Sequence, residues 1–210
     1  MERLLDYFIP KNYNISLNIN KSTRRVYGTT IITGEPHANT IKFHAKNLKI
    51  TSVTVDEKPV EYEQESDLIA ITPRDLLRQR EQGIESSPVT TGRATGARGG
   101  IAENQIWITI KYTFYLNTNM QGAYLSSYQY RAPDEAEPHT EYLVSTQFES
   151  HYARECFPCI DEPEAKATFD LKLITPDADD TVISNMPAKS ERVLEYESVD
   201  PEQDPSKVSS

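Results

Sequence analysis

Apolar residues recur at every second position along most of this chain, the spacing of strands that bury one face. Tyr13, Ile15, Leu17 and Ile19 alternate with polar residues, and Val26, Thr30 and Ile32 resume the alternation after a turn at 20–24. That pair predicts a hairpin. Ile41 and Phe43 mark a short strand, and the phase of Leu48 and Ile50 slips to Val53 and Val55 across Thr51 and Ser52, which predicts a bulge. Residues 56–59, Asp-Glu-Lys-Pro, read as a turn before Val60 and Tyr62, and 68–71 as one more short strand. The clearest strand is 106–116, with Ile106, Ile108, Ile110, Tyr112 and Phe114 on one face and Trp107, Thr109, Lys111 and Thr113 on the other. Phe169, Leu171 and Leu173, then Val182 and Ile183, then a weaker run at 193–196, predict the later strands. Many short strands divided by turn signals indicate an all-β class, a curved multi-stranded β-sandwich, rather than a βαβ fold.

Two regions break the pattern. An insertion at 75–104 offers a helical turn or two, then a stretch rich in Ser, Thr, Gly, Pro and Arg that reads as a mobile loop. Residues 198–210 read as a disordered tail, which leaves 1–197 as one β domain.

Composition narrows the function classes. With 22 Lys and Arg against 32 Asp and Glu, the formal net charge is −10, which opposes nucleic-acid or anionic-membrane partners. The apolar runs are only a few residues long, far short of the roughly 20 that span a bilayer. Without a basic, apolar, cleavable start at Met1, a cytoplasmic location is the default expectation.

Catalytic chemistry is hard to place. Cys156-Phe-Pro-Cys159 has a spacing that suits redox dithiols or zinc, but Glu155, Asp161 and Glu162 crowd the thiols, and the chain has no third cysteine. Structural packing is the expectation for both. His37, His44, His139 and His151 are never four apart, so no pair forms a zinc helix. Gly-x-Ser-x-Gly and phosphate-binding glycine loops are absent too. Gln147 and Glu149 remain. On a strand these two side chains would face one side and could address one ligand, and a carboxylate beside an amide suits a free ammonium group.

The run 146–169 carries a pattern of its own: Thr146-Gln-Phe-Glu149, then Ala153-Arg-Glu-Cys-Phe-Pro-Cys-Ile-Asp-Glu-Pro163, then Lys166-Ala-Thr-Phe169. It resembles the substrate-cleft segment of the aminopeptidase N family of zinc metallopeptidases. Met120, Gly122, Tyr124, Ser126 and Tyr128 resemble that family's Met-x-Gly-x-Tyr-x-Ser-x-Tyr segment, and Ser184-Asn-Met-Pro187 its Ser-Asn-Met-Pro turn. The resemblance implies the saddle-like N-terminal β domain of such an enzyme. It also implies that Glu149 holds the substrate's α-amino group, that Gln147 lines the first specificity pocket, and that Arg154, Phe157, Pro158, Cys159, Asp161, Glu162 and Pro163 form a structural loop. Neither H-E-x-x-H nor Gly-Ala-Met-Glu-Asn occurs, so no catalytic or metal residue is assigned to this chain. Zinc is expected only in the full-length enzyme, with peptide substrates and a downstream catalytic domain as partners. The alternative reading is a non-enzymatic β-sandwich binding module or an inactive family member.

Overall fold

The computed structural model describes residues 2–73, 105–133 and 137–193. The insertion at 75–104, the weak run at 194–196 and the tail at 198–210 lie outside the described residues. Among the described residues eleven strands form three sheets. The strands are β1 (Phe8–Asn20), β2 (Arg25–Pro36), β3 (Ile41–His44), β4 (Lys49–Val55), β5 (Lys58–Pro59), β6 (Tyr62–Glu65), β7 (Leu68–Ile71), β8 (Ile106–Tyr115), β9 (Gly122–Tyr130), β10 (His139–Gln147) and β11 (Thr168–Ile174). The large sheet runs β11-β1-β2-β8-β4-β5, a second runs β3-β7-β6, and β9 and β10 form a two-stranded ribbon. Every pairing is antiparallel except β1 with β11.

The alternation read from the sequence sets the buried face of the large sheet. Tyr13, Ile15, Leu17, Val26, Ile32, Val53, Val55 and the five apolar residues of β8 all lie inside, in one core with Ile41, Phe43, Ile69 and Ile71 of the second sheet. The hairpin and the bulge occur where expected: β1 and β2 pair from Phe8 with Pro36 to Asn20 with Arg25, and the β4–β8 register shifts between Ile50 and Ser52. Gly28 faces Tyr112 across β2 and β8, and a Cβ there would lie 2.3 Å from the tyrosine ring. The ring occupies that gap, so its hydroxyl reaches Thr30 Oγ1 at 3.0 Å and both buried polar groups are satisfied.

Three local expectations need correction. The turn at 56–59 is tighter than read. Asp56 and Glu57 alone make it, at φ 47° and 67°, while Lys58 and Pro59 already form β5. Two positive-φ residues are what a two-residue hairpin turn requires. Val182 and Ile183 form no strand, since 181–193 is irregular and no described neighbour pairs with it; Ile183 is 86 % exposed. Gln147 ends β10, so Glu149 lies in the turn beyond it rather than on the strand.

Candidate functional site

The ribbon places the candidate residues. Its inner half is anchored by buried Ala123 and Leu125, and Gly122 pairs with Gln147 at its base. Gly122 has φ +62°, and a Cβ there would stand 3.0 Å from Glu155 Cβ, so glycine both permits the backbone and lets β9 approach the loop closely. Beyond Gln147, Phe148 turns inward and meets the Phe157 ring edge-to-face at 5.8 Å, while Gln147 and Glu149 remain exposed on either side of it. Gln147 Oε1 accepts a 3.2 Å hydrogen bond from the Glu149 backbone N–H. The Glu149 carboxylate meets no hydrogen-bond or ion-pair partner among the described residues. The Glu149–Ser150 peptide bond is cis.

Behind this exposed corner the chain makes a short 3₁₀ turn, Ala153–Glu155, and then a buried loop. Arg154 closes the loop: its Nε donates to Asp161 Oδ2 at 2.9 Å, its backbone N–H to the same oxygen at 3.3 Å, and its Nη2 to the Asp161 carbonyl at 3.2 Å. Phe157 packs among Tyr13, Phe148 and Phe169, and Pro158, Cys159 and Ile160 are buried beside it. Cys159 and His44 exchange two backbone hydrogen bonds, at 2.8 and 3.0 Å, which tie the loop to β3. Tyr13 Oη accepts from the Ile160 N–H at 3.1 Å, which ties it to β1. Glu162 forms no ion pair among the described residues. Its Oε1 accepts from the Leu4 N–H at 2.6 Å, and Glu164 pairs with Arg3, so the segment before β1 is clasped to the loop. Pro163 is exposed at the turn that follows.

Both cysteines are free thiols in the core. Burial pushes the Cys156 thiol up to about 12 and raises Cys159 well above the ordinary thiol range, with the Asp161 carboxylate adding to the second shift. Burial, rather than the crowd of acidic residues, is the main reason these thiols stay protonated. Glu155 in particular turns away to Lys46 Nζ at 2.9 Å. Two thiols supply at most two zinc ligands, and no three His, Cys, Asp or Glu side chains gather into a metal site among the described residues. The described residues therefore do not fit a zinc ion.

His44 links this loop to pH. Its Nδ1 accepts from the Asp161 N–H at 3.1 Å, so the ring is neutral at that nitrogen. Burial lowers its pKa and the Arg154 guanidinium lowers it further, against the opposing carboxylates of Asp161 and Glu162. A folded pKa below the unfolded value of about 6.5 gives stability that is present above that pH and is lost as pH falls through the folded value. His44→Asn keeps an acceptor but does not titrate. Between about pH 7.5 and about pH 5, the thermal midpoint of the wild type should therefore fall further than that of His44→Asn. Parallel pH profiles for the two proteins would show that His44 carries no such linkage.

An all-β domain with an exposed amide and carboxylate beside a braced loop is the class of protein that these features define. Residues 9–204 match the Peptidase M1 N-terminal domain, and the chain belongs to that family. It is 35 % identical over 191 residues to an aminopeptidase N of Lactococcus lactis subsp. lactis (strain IL1403), covering 89 % of this chain and 19 % of that protein. It is 33 % identical over 188 residues to an aminopeptidase N of Lactobacillus helveticus, with 89 % and 19 % covered. It is 31 % identical over 175 residues to aminopeptidase 2, mitochondrial, of Saccharomyces cerevisiae, with 80 % and 17 % covered. The chain thus spans about a fifth of the length of the relatives it matches.

Proposed function

We propose that this domain forms one wall of the substrate cleft of a zinc aminopeptidase that removes N-terminal residues from peptides. The zinc ligands belong to other parts of the whole enzyme. In this reading Glu149 receives the substrate's ammonium group and Gln147 lines the pocket for the first side chain. The carrying observation is the Glu149 carboxylate itself, exposed in the turn after β10 with no described partner, although the loop behind it is braced from three sides. A rigid support under a solvent-facing carboxylate with no described protein partner suits an anchor, because a charged ligand is held best by a group that does not have to reorganise. An exopeptidase needs that anchor to fix the amino terminus one residue from the scissile bond.

A comparison of substrates tests the reading. The whole aminopeptidase should cleave a short peptide with a free amino terminus and leave its N-acetylated form intact, since acetylation removes the charge that Glu149 would meet. The 210-residue chain alone should cleave neither and hold no stoichiometric zinc by metal analysis. Undiminished cleavage of the acetylated peptide would remove the anchor, and zinc-dependent turnover by the 210-residue chain would contradict the division of labour.

A further inference from the structure

A carboxylate that receives a ligand has to be held in place without using its own oxygens, which must stay open to that ligand. The position of Glu149 is therefore set by the turn that carries it. That turn, 148–152, is closed at its base by the Tyr152 N–H, which donates to the Phe148 carbonyl at 2.9 Å. Phe148 fixes one side of it by packing on Phe157 at 5.8 Å. On the other side the half-buried Tyr152 reaches out of the turn: its ring stacks on His151 at 4.8 Å, and its hydroxyl accepts a 2.9 Å hydrogen bond from Gln121 Nε2.

Gln121 is itself held in backbone and side chain. Its N–H donates to Asn119 Oδ1 at 3.2 Å, its carbonyl accepts from Asn117 Nδ2 at 2.7 Å, and its Oε1 accepts from Asn119 Nδ2 at 3.4 Å, which turns its Nε2 towards Tyr152. The next residue, Gly122, pairs with Gln147. The contacts close a ring: from Gln147 across the ladder to Gly122, back one residue to Gln121, through its amide to Tyr152, and through the Tyr152 N–H to Phe148 beside Gln147. Glu149 lies in the turn that this ring closes, with its own N–H on Gln147 Oε1 at 3.2 Å. We propose that Tyr152 is a positioning residue for the amino-terminus anchor: held by Gln121, it fixes the 148–152 turn against the base of β9 and so sets where the Glu149 carboxylate stands relative to Gln147. The inference rests on the aminopeptidase reading. Without the hydroxyl tie the turn has more positions open to it, and the carboxylate meets the substrate's ammonium group in a smaller share of them.

Tyr152→Phe in the whole aminopeptidase tests this, because it removes the hydroxyl and keeps both the ring and the backbone closure of the turn. For a peptide with a free amino terminus, kcat/KM should fall by about 2- to 10-fold, the range of one ordinary hydrogen bond. Gln121→Leu should cause a similar loss, and the double variant no more than either single change, since both remove the same bond. In a Glu149→Gln background Tyr152→Phe should have no further effect, whereas a general loosening of the domain would lower the rate in both backgrounds alike. Wild-type kinetics in Tyr152→Phe, additive losses with Gln121→Leu, or an equal loss in both backgrounds overturns the proposal and leaves the role of Glu149 standing. Wild-type kinetics in Glu149→Gln overturns that role and this inference together.

Discussion

Glu149→Gln in the whole aminopeptidase should lower kcat/KM for a free-amino peptide by about 10- to 150-fold. The substitution keeps the shape of the side chain and removes its charge, so under the proposed anchor role the substrate ammonium would lose a charge-assisted hydrogen bond of roughly 1.5–3 kcal/mol. Gln147→Ala should change the overall rate less and alter the preference among N-terminal side chains more, because that group would line a pocket without carrying charge. Both residues are exposed and neither contributes to the core, so the two variants should unfold at the wild-type denaturant concentration. Wild-type kinetics in Glu149→Gln would return the residue to the ordinary solvated surface.

The largest stability effect is expected at Tyr13. This residue is almost fully enclosed, stacks on Phe169 at 5.2 Å, meets Phe157 edge-on at 6.2 Å, and accepts the Ile160 N–H through its hydroxyl. Tyr13→Ala should cost about 3–5 kcal/mol, as other large-to-small aromatic changes in cores do. Tyr13→Phe retains the packing but leaves a buried amide without an acceptor, at about 1–3 kcal/mol. Hydrogen exchange separates the two effects. In Tyr13→Phe the Ile160 amide should exchange faster while amides in the centre of β2 and β8 change only with global stability. If Tyr13→Phe denatures at the wild-type midpoint, the link between β1 and the loop is not a stabilising one.

Legibility followed the strength of each local signal. Strands β1, β2, β4 and β8 were readable because a half-buried strand must alternate, and their inward residues are mostly β-formers, Ile, Val, Tyr and Phe. The slip at Thr51 was readable for the same reason, since one extra residue inverts every later side chain. Strands β9 and β10 gave no such signal. Tyrosine, serine and glutamine populate both of their faces, and a ribbon exposed beyond its base has no need to segregate apolar residues. Val182 and Ile183 show the opposite error: two β-branched residues carry strand propensity, but a strand exists only where another offers its hydrogen bonds.

The candidate site divides in the same way. The residues at 146–169 carry the resemblance to the family, and it is that resemblance, rather than their spacing, that nominates Gln147 and Glu149 for the proposed ammonium anchor. The sequence alone likewise determined the alternating strands, the hairpin after β1 and the absence of a zinc-helix spacing, all of which depend on near neighbours in the chain. Tertiary structure decided what depends on distant ones. Glu162 meets Leu4, His44 meets Asp161, and Tyr13 meets Ile160, contacts that span more than a hundred residues each and leave no local trace. Burial, which only the assembled core supplies, kept the two thiols protonated, and the inward turn of Phe148 left Glu149 facing outward without a partner among the described residues.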